Sequence, residues 1–259
     1  MTTPPARTAE LVADLTAEHQ VLEGVLGGLS EAQWQLPTPA AGWEVRHQIA
    51  HLTFFDEVGR SSVAGDNAPF SALRHGRDGQ TEHEVSLALL QPLLGLPVAG
   101  LLSRWRTAAA ALRQEFLAAP PGSSVVWGAG PMSLDSFVTA RLMEAWAHGL
   151  DCLAAVRITP VDTDRVRHIC HLGYRALPYA FRRSGTTMPG PLDNLRLELV
   201  LPSGKPYVLG PETARSVISG PAAQWARVAV QRMPRTAAVG LVAHGELADA
   251  ALKVARAFA

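Results

Sequence analysis

The chain has 259 residues with 23 basic and 23 acidic side chains, and 47% of it is hydrophobic, enough to bury a core without disulfide staples. A formal net charge of zero excludes the broad electrostatic attraction that nucleic acids or anionic membranes require. Cys152 and Cys170 make neither a disulfide framework nor a metal knuckle, and no run approaches the roughly 18 apolar residues of a membrane span, so a soluble cytoplasmic chain is expected.

Leu11, Leu15, Leu22, Val25 and Leu29 recur at helical spacing and predict an amphipathic helix over 8–29. SEAQ at 30–33 has the form of a capping box and opens a short turn that Pro37 and Pro39 stop. Val45, Ile49, Leu52 and Phe55 form the core-facing stripe of a second helix from Trp43 to about Ala64. The polar stretch 67–80, containing Arg74, His75 and Arg77, reads as a surface loop, and 120–132 as another. Between them a helix over 82–90, a break at 92–97 and an alanine-rich helix over 98–118 are expected. Ser133 is a natural N-cap for a helix reaching about Val156, and a further helix spans 163–181.

Beyond Pro189 the period changes. The leucines at 195, 197, 199 and 201 alternate with Arg196, Glu198 and Val200, which describes a strand with one buried face, and the PSGK turn joins it to PYVLG as a hairpin. A short strand at 216–219 and helices over 221–231 and 246–258 complete an α+β, mainly α, chain. Its expected division is a helical bundle over 1–185 and a small C-terminal α/β domain over 190–259.

Chemistry concentrates in two segments. In RLMEAWAHGLD, Glu144 and His148 are four apart, so a helix stacks them on one face. Ordinary surface pairs share that spacing, but Leu142, Met143, Ala145, Trp146, Ala147 and Leu150 surround this one and predict burial. An uncompensated buried carboxylate costs several kcal/mol, so either Arg141, one turn earlier, or a metal ion must balance Glu144. His51 lies on another apolar helix, among Ile49, Ala50, Leu52 and Phe54, and His47, four residues before it, can face the same pocket.

GWEVRHQIAHL resembles the second helix of the DinB-like bundles. Together with RLMEAWAHGLD it looks like the mycothiol-dependent maleylpyruvate isomerase group of actinobacteria, over almost the whole chain. The resemblance implies a divalent metal, usually zinc, on His51, Glu144 and His148, with nickel or iron as substitutes, and a small C-terminal α/β domain. His47 departs from the family, which often has an aspartate there. It is a candidate extra ligand, a support for the ligands or a proton carrier. Arg141 is the candidate for anchoring an anionic group or orienting Glu144, and Arg74 and Arg77 for holding an anionic cosubstrate. Asp56, Glu57 and Asp151 are candidates for hydrogen bonds to metal-bound histidines, while Trp43, Trp127 and Trp146 are assigned to the core.

An open-sided metal site lowers the pKa of whatever fills its open position. The preferred reading is an enzyme that activates a low-molecular-weight thiol, mycothiol, for addition to a small-molecule electrophile, as an isomerase or S-transferase. A thiol-independent hydrolase or cyclase and a non-catalytic binding or regulatory protein stay open beside it. No glycine fingerprint for a dinucleotide or ATP stands at a strand-to-helix junction.

Overall fold

Helical spacing of apolar residues builds the N-terminal part of the chain. The computed structural model describes residues 5–73, 82–127 and 130–257, which fall into two units, 1–159 and 160–259. The first contains α1 (Ala6–Leu26), α2 (Glu31–Trp34), α3 (Val45–Val63), α4 (Ala68–Ala72), α5 (Glu82–Leu94) and α6 (Val98–Ala118). A hairpin of β1 (Ser124–Trp127) and β2 (Gly130–Ser133) then leads into α7 (Leu134–Ala155). Helices α1 and α3 each pack on both α6 and α7, so the four long helices form a ring in which the α1–α6 and α3–α7 seams lie opposite each other. Leu15, Ile49, Leu52, Leu112, Phe116 and Phe137 are fully buried between them, each contributing about 1.5–3 kcal/mol of apolar burial.

Both helix starts read from the sequence are built as expected. Ser30 Oγ accepts the Gln33 N–H while Gln33 Oε1 accepts the Ser30 N–H, and Ser133 Oγ accepts the Ser136 N–H at 3.2 Å. Three local expectations need correction. Part of the expected 67–80 loop is helical, because Pro69 sits in the first turn of α4, where its missing N–H costs nothing. Helix α5 continues through Pro92 to Leu94 before breaking. The 120–132 loop contains the β1–β2 hairpin, paired from Ser124↔Ser133 to Trp127↔Gly130.

The second unit contains α8 (Val166–Ser184), β3 (Leu195–Val200), β4 (Pro206–Leu209), β5 (Ser216–Pro221), α9 (Ala222–Ala229), β6 (Val242–His244) and α10 (Glu246–Val254). Its sheet runs β4-β3-β5-β6, with β3 antiparallel to β4, parallel to β5, and β5 antiparallel to β6. Alternation in β3 buries Leu195, Leu197 and Leu199 on one face, as the leucine spacing requires. The division expected near Pro189 instead falls between Thr159 and Pro160. Helix α8 was expected to close the bundle but packs on α9, where the Trp225 indole donates to the Cys170 carbonyl at 3.1 Å. Strand β6 was not expected, and α10 ends at Val254 rather than 258. Among the described residues no single helix is long and apolar enough to cross a membrane.

Gly173 permits the α8–α9 approach, since a Cβ there would lie 2.6 Å from the Ala229 Cβ. Gly173→Ala is therefore expected to destabilise the protein by about 1–3 kcal/mol through overpacking, measured by denaturant unfolding. An unchanged midpoint would show that the contact yields freely.

Candidate metal centre

The α3–α7 seam brings together the residues that the sequence separated by almost a hundred positions. His51 comes from the exposed edge of the α3 stripe, Glu144 and His148 from successive turns of α7. Glu144 Oε2 lies 3.3 Å from His51 Nε2 and 3.1 Å from His148 Nε2. The three ligand atoms are all within 4.8 Å of one another. Between 11% and 22% of each side chain's surface remains exposed, so the cluster can be reached from outside.

The backbone before α3 supplies a support that the sequence reading missed. The segment 36–44 folds back on itself: the Val45 N–H donates to the Leu36 carbonyl at 3.1 Å, and the Thr38 N–H to the Trp43 carbonyl at 2.7 Å. Thr38 also commits its hydroxyl proton to the Trp43 carbonyl, at 2.9 Å. Its oxygen therefore accepts, and Gln48 Nε2 donates to it at 2.8 Å. That fixes the amide of the fully buried Gln48 with Oε1 against His148 Nδ1, which must then donate. The remaining nitrogen of His148, Nε2, consequently faces Glu144 as a bare lone pair unless a positive charge lies between them.

The electrostatics agree with that demand. Burial lowers the pKa of His51 to about 4, reinforced by the neighbouring His148 and opposed by Glu144. Burial alone would raise that of Glu144, but positive charge on the facing His148 and His51 outweighs it and holds the carboxyl well below its usual range. An ionised carboxylate faces two imidazole nitrogens, one of them bare, and a cation satisfies all three. A tetrahedral ion with bonds of about 2.0–2.1 Å separates its ligand atoms by about 3.3 Å, close to the spacing found here. Two nitrogens and one oxygen also form a donor set suited to zinc.

Aromatic rings wall the cluster. The Trp43 ring stacks on His148 at 6.2 Å and 18°, lies 5.4 Å from His51, and so belongs to the site rather than to the core alone. Phe55 approaches His51 at 4.6 Å and continues through Trp127 to Phe70 and Phe137. Trp146 is buried, as expected.

Other sequence candidates have different employment. His47 closes the start of α3, its Nδ1 accepting the Glu44 N–H at 3.1 Å, and it stands outside the ligand cluster. Arg141 neither anchors an exposed anion nor orients Glu144: buried, it donates from Nε and Nη2 to Asp56 Oδ1 at 3.1 and 2.8 Å. Asp56 thus serves Arg141 and Glu57 pairs with Arg104, whereas Asp151 is buried on α7. Burial raises the Cys152 thiol's pKa, with Asp151 adding to the effect, which makes it a poor nucleophile. Arg74 and Arg77 lie outside the described residues.

Comparison with known proteins places this geometry in context. Residues 15–152 match the family model described as the mycothiol maleylpyruvate isomerase N-terminal domain. An uncharacterised protein of Mycobacterium tuberculosis, found in strains CDC 1551 / Oshkosh and ATCC 25618 / H37Rv, is 38% identical over 248 residues, covering 96% of this chain and 95% of the relative. Crystal structures of the mycothiol-dependent maleylpyruvate isomerase and of its histidine-to-alanine mutant share the fold, with TM-scores of 0.59 and 0.60. Each is 17% identical, and the match covers 94% of this chain and 95% of that one.

Two expectations follow from the geometry. His51→Ala, Glu144→Ala and His148→Ala each lose bound divalent metal in elemental analysis, while His47→Ala retains it. Gln48→Leu, which removes the acceptor that fixes the His148 tautomer, weakens metal binding by about 10–100-fold in a chelator competition. Full affinity in Gln48→Leu would mean that the amide does not orient the ligand.

Proposed function

The chain belongs to the mycothiol maleylpyruvate isomerase N-terminal domain family, and on that premise we propose that it is an enzyme that uses a divalent metal, zinc first, to activate mycothiol toward a small electrophile. The observation that carries the reading is the hydrogen-bond relay from the Trp43 carbonyl through Thr38 and Gln48, which leaves His148 Nε2 bare and directed at Glu144. His51, Glu144 and His148 would hold the ion, and their net charge of minus one would leave the loaded site positive. When bound, the ion would lower the pKa of a coordinated thiol so that its thiolate exists at neutral pH.

The protein's own residues do the remainder. Gln48 keeps His148 in its ligating tautomer, and Glu144 offsets part of the positive charge without extinguishing it. Trp43 and Phe55 cover the imidazoles and keep water from the nucleophile. Arg141 is engaged by Asp56, and Arg74 and Arg77 would be the residues to recognise an anionic cosubstrate. The buried Cys152 and Cys170 leave the nucleophilic sulfur to an external thiol. Isomerisation would proceed by addition of that sulfur to a cis double bond, rotation about the resulting single bond and elimination of the same sulfur. Neither oxidation nor reduction is involved.

The test is spectroscopic. Protein reconstituted with cobalt in place of zinc is expected to develop a sulfur-to-metal charge-transfer band on addition of mycothiol and to release a proton as the thiolate binds. Loaded cobalt protein whose spectrum is unchanged by mycothiol would instead support a hydrolase or cyclase working through bound water.

A further inference from the structure

The α1–α6 seam, opposite the metal centre in the helix ring, holds a second concentration of polar chemistry. A cavity of about 340 Å³ opens there, lined by His19, Glu23, Trp105, Arg106, Ala109 and Arg113 among others. That volume lies within the range of small-molecule sites.

Its hydrogen-bonding inventory is one-sided. Arg113 Nη1 contacts His19 Nδ1, and because a guanidinium only donates, the imidazole accepts there and carries its proton on Nε2. Burial, reinforced by Arg113 and Arg141, keeps that imidazole neutral, with its pKa lowered to about 3. Trp105 is 2% exposed, and its Nε1–H has no hydrogen-bond partner among the described residues. Arg113 is half-buried, and the carboxylate that acts on it, Asp56, is already bound to Arg141. At the other end Glu23 is taken up by Arg106, whose Nε lies 2.9 and 3.0 Å from its two oxygens. The Trp105 N–H is sealed from the cavity, so what the lining offers is the guanidinium of Arg113 and the His19 Nε2–H beside the neutral Thr16 and Gln20, with no free carboxylate among these residues to balance the charge. A partly desolvated cation in that condition calls for an anion.

We propose that the α1–α6 cavity is a second binding site, for a small organic monocarboxylate held by Arg113 with the His19 Nε2–H as a further donor and the Trp105 ring beside it. A planar pair of oxygens matches the guanidinium fork. The single unmatched charge calls for a monoanion. The cavity also exceeds what an inorganic ion fills, leaving Ala109 and the indole edge to receive an apolar body. The site does not depend on the metal centre, whose ligands all come from α3 and α7.

Benzoate titrated into the full chain tests this, followed by the indole N–H resonances in proton–nitrogen NMR spectra. Saturable binding is expected, shifting the indole resonance that is missing from Trp105→Phe. Benzamide, with the same shape but no charge, should bind at least about tenfold more weakly, the loss expected for a charge-assisted hydrogen bond. Arg113→Met should weaken benzoate by a similar factor while leaving metal content unchanged. The shift should persist after dialysis against a chelator, which separates it from benzoate bound to the metal. The proposal is overturned if benzoate does not saturate, if benzamide or inorganic phosphate binds as well, or if chelation abolishes the shift. The benzoate, benzamide and phosphate comparison needs no variant, so it decides the matter even where a substitution impairs folding.

Discussion

A carboxylate placed between two imidazoles, inside a helix bundle, is the constraint around which the first unit is arranged. Glu144 cannot stay ionised there without a positive charge beside it, and the surroundings decide where that charge must sit. Helix α3 supplies His51 from one side, and α7 supplies His148 one turn from the carboxylate. Segment 36–44, a connection between helices, is held by backbone hydrogen bonds so that Thr38 reaches His148 through Gln48 and Trp43 lies against His51 and His148. The geometry of the cluster thus depends on the region before α3 as much as on α3 and α7.

A second interior charge pair separates the two polar regions of the bundle. Arg141 and Asp56 satisfy each other, but Asp56 Oδ2 is buried with no hydrogen-bond partner among the described residues, and burial raises the carboxyl's pKa against the pull of Arg141. Breaking such a pair from one side leaves an uncompensated buried charge, typically at a cost of about 3–5 kcal/mol. The positive charge of Arg141 also disfavours protonation of both His51 and His19, on opposite seams. Its contribution is a field inside the bundle rather than a hand extended to a ligand.

How much of this could be read from the chain differs by residue. Glu144 and His148 were legible because a charged pair at helical spacing stood in apolar surroundings, and His51 because its helix shared that character. The resemblance joined the two segments, which spacing alone could not do. Gln48 was not legible: a glutamine beside Arg46 and His47 reads as a solvated side chain, and its importance depends on Thr38, ten residues earlier and outside the helix. Arg141 was noticed for its charge, but its partner lies 85 positions away. The strands of the second unit were clear from alternation, whereas the allegiance of α8 rests on a methyl-sized gap at Gly173 that becomes meaningful only opposite Ala229.

The Thr38 relay has a polarity, and that polarity selects between two kinds of chemistry. Were the Gln48 amide turned by 180°, its nitrogen would donate to His148 Nδ1 and move the imidazole proton to Nε2. His148 and Glu144 would then form a self-sufficient acid–base dyad with nothing to ask of a metal. The turned amide would require Thr38 to redirect its hydroxyl proton away from the Trp43 carbonyl, which holds it at 2.9 Å. One hydroxyl rotor outside the cluster therefore determines whether Glu144 meets a bare imidazole nitrogen or a donor with which it trades a proton.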